Sequence, residues 1–393
     1  GGLPDDPIWD VSLDSYDRGF YSSTATIRVK SDDAYLESMD GLLEDDESLE
    51  LFDKLADGLR IDLDILHGPV GLAGQPFFGW SSVAAEIDPD SPLTEGLTET
   101  LGIPYLMQLT TVTGFGGQTR FAGDVPPIKV EDAESVIDFS GLELTGSFSA
   151  ADDRLIYEMI IDNVTGGSPV ADYSIQGIRS SADSIFITDD LAIGVSDISI
   201  DRAEIGTVTL PGSEVVMDNM SIVIDADVDG GGEKMSADVV YALDAVSFPP
   251  ASDVQSLSMV FKLNDIDVDA VQTYLDIIQQ MDPADQESIE MFPEEMITAA
   301  YGILLGSPSF AIDPLSFLYN EQRFTGSITL NLIGERLPDS PDMIEQNPAV
   351  LIDAVGAKAS LAVDESLALS IAEALMMQQL VASLPPDADF TAE

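Results

Sequence analysis

The 393-residue chain contains no cysteine. A disulfide framework, a thiolate nucleophile and Cys-ligated zinc or iron–sulfur sites are therefore excluded, and the fold rests on its core alone. Histidine is nearly as scarce, His67 being the only one. Any Ser–His–Asp triad has to pass through it, and no Gly-x-Ser-x-Gly elbow accompanies it. Basic residues are few: 15 Lys+Arg stand against 72 Asp+Glu, a formal net charge of −57. With no basic stripe to neutralise phosphates, nucleic acid is not an expected partner. Long apolar runs are missing too, and the longest fall far short of the ~18 residues that a spanning helix needs. The first residues, Gly1-Gly2-Leu3-Pro4-Asp5-Asp6, hold neither a basic n-region nor an apolar h-region. The expectation is that a leader or anchor was lost before Gly1.

What remains is a chain with an ordinary apolar share, 45%. That is enough for a sizeable core and argues against a disordered acidic tail. Its charge opposes compaction in dilute solution, and molar salt shortens the screening length to about 3 Å. Few lysines, many aspartates and a normal core point to a protein adapted to a saline medium. The plainer alternative is an acidic secreted protein.

The patterning is mostly that of strands. Thr24–Val29 and Leu59–Leu66 alternate, the second with Leu59, Ile61, Leu63 and Ile65 on one face and ending at the turn His67-Gly68-Pro69. Residues 33–58 carry apolar residues at helical spacing, and residues 70–104 read as loop with short elements. From about 105 to 263 strand follows strand, separated by turns such as Gly166-Gly167 and Gly230-Gly231-Gly232. Many of these strands have one apolar face and one of Asp, Ser or Thr, the mark of a sheet covered on one side and wet on the other. Helices are expected at Val268–Met281, Glu294–Gly306 and Ser366–Leu384, a mixed segment at Ile344–Val355, and strands at Phe324–Ile333 and Lys358–Val363. The expected fold is α+β and β-dominated: a long, curved antiparallel meander with a few helices near the N-terminus and in the C-terminal third. Three regions follow: 1–104, a strand–helix–strand lobe with loop; 105–263, the antiparallel sheet; and 264–393, a mixed helix and strand lobe. One continuous sheet can run through them.

The segment Tyr16-Asp17-Arg18-Gly19-Phe20-Tyr21-Ser22-Ser23-Thr24-Ala25-Thr26 resembles the N-terminal signature of the YdgA-like family of bacterial cell-envelope proteins. There a tyrosine, Arg-Gly, an aromatic and Ser-Ser precede a strand. His67-Gly68-Pro69 is similar to that family's second signature, and Leu263–Met281 and Ser307–Leu315 are similar to its C-terminal half. The resemblance implies an N-terminal membrane anchor, a periplasmic setting and no assigned catalytic residues. This chain departs from the pattern by lacking the anchor and by stopping soon after Pro386.

Candidate chemistry is sparse. His67 reads as a turn cap that bonds to backbone, and Arg18 as a fork onto carboxylates or carbonyls, with anion binding as its functional alternative. Gly19 beside it allows close backbone approach. Asp225, Asp227 and Asp229 before Gly230 resemble the start of a calcium loop, but Ser236 stands where an EF-hand needs Glu. A solvated strand edge is the plain reading and weak Ca²⁺ binding the functional one. No other cofactor is expected. Two functions remain. The first is a non-enzymatic envelope or extracellular structural protein that assembles with itself into an oligomer or filament. The N-terminal segment around Trp9 would then donate a strand to a neighbouring copy. The second is a periplasmic module that binds lipid or another hydrophobic ligand.

Overall fold

A computed structural model describes residues 9–19, 21–31, 59–71, 78–88, 94, 98, 101–131, 135–188, 190–207, 214–248, 253–279, 293–338, 340–346, 349–370, 372 and 376. The expected helix over 33–58 lies outside them. The first two strands form a hairpin, β1 (Trp9–Arg18) and β2 (Ser22–Ser31). Next come β3 (Leu59–Gly71), β4 (Phe78–Ile87), β5 (Gln108–Thr113), β6 (Gln118–Val125), β7 (Ile128–Glu131), β8 (Val136–Phe139) and β9 (Leu142–Ser149). The long central strands are β10 (Arg154–Gly167), β11 (Ala171–Phe186), β12 (Ala192–Thr207), β13 (Val215–Val228), β14 (Lys234–Ser247) and β15 (Val254–Asp267). After two helices, α1 (Val268–Gln279) and α2 (Pro293–Leu305), the sheet resumes with β16 (Ser309–Tyr319) and β17 (Gln322–Leu332). It ends, past α3 (Pro341–Gln346) and α4 (Val350–Ala354), at β18 (Val355–Val363).

All eighteen strands belong to one antiparallel sheet in which each pairs with its sequence neighbour. Two are continuations. The dipeptide Pro126-Pro127, which has no N–H to offer, splits β6 from β7, and Ser140-Gly141 splits β8 from β9. The pairs β6–β9 and β7–β8 share one register, so the four form a single interrupted hairpin, and both β8 and β9 lie on β10. Sixteen strand positions therefore follow each other as an open meander. Among the described residues β1 pairs only with β2 and β18 only with β17.

The sheet crosses both of the regional boundaries expected from sequence, since β4 pairs with β5 and β15 runs through residue 263. Two strands escaped the sequence reading. β4 falls in the segment read as loop, because its Ser81-Ser82 and Ala84-Ala85 have weak strand preference and its neighbours are Gly- and Pro-rich. β16 was not expected as a strand either; its Asp313-Pro314 interrupts the pattern. The helix starts were legible. At α1, Asp267 Oδ1 accepts from Ala270 N at 3.0 Å, an N-cap.

The described residues contain one packed apolar cluster, at the helical end. Tyr301 of α2, Leu337 and Ala354 of α4 form it, with Leu304, Leu332, Ile344 and Leu351 against them. The Tyr301 hydroxyl donates to the Pro338 carbonyl and closes it.

Candidate functional site: an apolar face without carboxylates

Residues paired across an antiparallel ladder point to the same face. One row can be followed through all sixteen strands. It runs Tyr16, Ala25, Leu63, Ala85, Leu109, Gly123, Leu144 and Met159. It continues Ser180, Ile198, Ile222, Tyr241, Met259, Leu315, Gly326 and Leu361. At about 4.8 Å between strands the row is about 75 Å long. The neighbouring row on the other face starts Asp17, Thr24, Asp64 and Ala84 and later includes Glu158, Ser181 and Asp197.

The contrast holds beyond these two rows. No Asp or Glu occupies a paired position on the first face between the helical end and residue 161 of β10 or its partners in register, in a chain with 72 of them. Among the described elements none packs across that face. Ile198 is 47% exposed and Leu361 68% exposed, and Ile224, Ile328 and Leu330 are also open to solvent. Soluble monomers rarely leave a contiguous apolar surface of this extent bare.

The opposite face carries the charge. Arg154 reaches Asp183 at 2.7 and 2.5 Å, Arg179 reaches Asp201 at 3.0 Å, and Arg28 reaches Asp14 at 2.6 Å. The Arg154 bond holds the Asp183 carboxyl below the usual carboxylate range.

Near the ends of the strands remote from the helices, the pattern shifts by one residue along a transverse crease. Eight strand positions carry two apolar residues three apart with two polar, small or proline residues between: Val125/Ile128, Phe139/Leu142, Ile161/Val164, Ile175/Ile178, Ile200/Ala203, Met217/Met220, Leu243/Val246 and Val254/Leu257. Along the crease every second strand has a residue with positive φ: Gly141 at 100°, Gly177 at 64°, Asn219 at 50° and Ser256 at 52°. At Gly177 a Cβ would collide with the Asp201 carboxylate. Asn219 Nδ2 donates to Asp244 Oδ2 at 2.8 Å on the next strand. Beyond the crease the positions that continue the apolar face turn polar, and Arg202 pairs there with Glu204 and Asp218.

The signature residues converge at the opposite end, on β1, β2 and β3. Ser23 is 2% exposed, and its Oγ lies 3.2 Å from His67 Nε2 and accepts from the Tyr16 hydroxyl at 3.5 Å. His67 N donates to the Tyr21 carbonyl at 2.7 Å. The His67 ring thus bonds a side-chain hydroxyl, where a backbone partner was expected. A Cβ on Gly19 would strike the Ser22 carbonyl, so glycine fits the turn beside Ser22. Gly68 has φ 122°, and the β3–β4 register slips between His67 and Val70, across Pro69. Ser23 and His67 have the spacing of a nucleophile and base, but the hydroxyl is buried and carries two bonds, and among the described residues no carboxylate bonds the other ring nitrogen. The expected fork of Arg18 is not formed. Its exposed guanidinium has no ion pair or side-chain hydrogen bond among the described residues, because the acids beside it, Asp17 and Asp64, belong to the other face.

The three aspartates do not act together. Asp225 pairs with Asp238 across β13 and β14, and Asp227 Oδ1 accepts from Val228 N at 2.8 Å. Asp229 Oδ1 accepts from the N–H of Glu233 and Lys234, 3.0 and 3.3 Å away, which ties the glycine turn and holds its carboxyl below the usual range. Among the described residues no group of three or more His, Cys, Asp or Glu is arranged to hold a metal ion. None of their helices is long and apolar enough to cross a membrane.

An open, two-faced β-meander capped by helices at one end is the class that fold and site define. The chain belongs to the family described as a bacterial protein of unknown function, DUF945, whose model matches residues 4–393. No curated protein and no solved structure matches it.

Proposed function

We propose that this protein is a non-enzymatic binding module for the hydrocarbon part of lipids or similar amphiphiles, which lie on the apolar face of the sheet. The observation that carries this is the absence of carboxylates from that face in a chain with a net charge of −57. Composition alone would scatter acids over any wet surface, so a surface kept free of them is matched to an apolar occupant. An acyl chain brings no charge to the site, whereas a second copy would bring another 57 negative charges against the first. The resemblance of Tyr16–Thr26 and His67–Pro69 to YdgA-like envelope proteins supports an extracytoplasmic setting, where such amphiphiles are at hand.

Self-assembly is the second reading, favoured by one observation. β1 and β18 each have one partner among the described residues, and free edges are templates for another strand. The N-terminal segment is not a loose donor for that purpose, since Trp9 to Arg18 already pair with β2.

The test uses adjacent residues of one strand. Ile222 faces the apolar side and Val223 the other. In molar NaCl, Ile222→Asp should weaken binding of the methyl ester of cis-parinaric acid, read by its fluorescence, by at least about tenfold. Val223→Asp should change it by less than about twofold, with both variants checked for folding by circular dichroism. Equal affinities for the two folded variants would sink the proposal.

A further inference from the structure

The apolar face has one charged corner. Following the ladder, Arg18 pairs with Ser23, Ser23 with Ile65, and His67 with Ser81, all on the face that carries Ala25, Leu63 and Ala85. Between the helical end and the crease, Arg18 and His67 are the only residues at paired positions on this face that can carry a positive charge. We infer that the ligand is an anionic amphiphile, with its headgroup on Arg18 and His67 at the β1–β2 turn and its tail along the rows above them. This rests on the hydrocarbon-binding reading.

Three features support it. Arg28, Arg154, Arg179 and Arg202 each find a carboxylate; among the described residues Arg18 has none, and Arg323, which also lacks one, stands on the other face. The corner is held in place without using the guanidinium: Ser23 bonds both Tyr16 and His67, and His67 N bonds the Tyr21 carbonyl. A planar guanidinium then offers two parallel donors to the two oxygens of a carboxylate or phosphate. Finally, Tyr16 and Tyr21 stand exposed beside it, 54% and 73%, with an apolar ring and a polar tip suited to the join between tail and headgroup. The chain's overall charge opposes an anion at long range. Molar salt reduces that reach to about 3 Å and leaves contact hydrogen bonds in place.

The experiment compares cis-parinaric acid with its methyl ester on the full chain in molar NaCl. Arg18→Gln should weaken the acid about tenfold, the scale of one lost charge-assisted contact, and leave the ester within about twofold. Arg18→Lys should recover part of the loss for the acid. Unchanged binding of both probes, or an equal loss of both, would overturn the headgroup assignment while leaving the hydrocarbon reading intact. The unmodified chain binding the ester but not the acid would do the same. If it binds neither probe, the hydrocarbon reading itself falls, and this inference with it.

Discussion

Ile222 and Val223 are neighbours in β13, yet they belong to different surfaces. Through its ladder partners Ile222 continues a row of Ile, Tyr, Met and Leu; Val223 stands between Asp197 and Val240 on the side where the ion pairs lie. Period-two alternation, repeated in register over sixteen strand positions, divides the molecule into a wet acidic face and a bare apolar one. The acidic face carries the ion pairs and the like charges that repel one another in dilute solution. The apolar face has no such role in a monomer, and it is there that function is to be sought.

The strongest way to perturb this division is through the solvent. Carboxylates crowded on one face repel each other, and salt screens them. The thermal midpoint of the protein should rise steeply from low ionic strength to molar NaCl, as followed by circular dichroism. A midpoint that stays flat or falls would mean that the acidic face does not limit stability.

A smaller effect is expected at the crease, where the two faces change phase. Gly177→Val places a β-branched residue at φ 64° and against the Asp201 carboxylate. It should lower stability by about 2–3 kcal/mol in urea titration. Ser181→Val, in the same strand on the charged face, should change it by no more than about 0.5 kcal/mol. Similar losses at both positions would remove the special standing of the crease.

The meander and its helices were legible because alternation and helical spacing are local. α1 and α2 lie within two residues of their expected ends, and the runs from β9 to β15 were readable as strands. β4 was hidden by Ser and Ala, which strands accept only when neighbours supply the pairing. The crease left a trace in sequence, the apolar–x–x–apolar steps such as Ile175-Gln176-Gly177-Ile178, but a single step is ambiguous. Only the register aligns eight of them. The absence of acids from one face is likewise a statement about pairing partners. Arg18 shows the same limit from the other side: a fork onto carboxylates or carbonyls was expected of it, but its neighbour Asp17 points to the opposite face of the sheet.

The lack of cysteine gives the most direct test of the two-faced account, because any introduced thiol is a unique label. Single cysteines at Met220, Ile222 and Ile224, and at Ser221, Val223 and Asp225, would each carry an environment-sensitive fluorophore and be titrated with a brominated fatty-acid methyl ester in molar NaCl. The account predicts strong quenching at 220, 222 and 224 and little at 221, 223 and 225, a period of two along β13. Uniform quenching, or the inverse pattern, would contradict it.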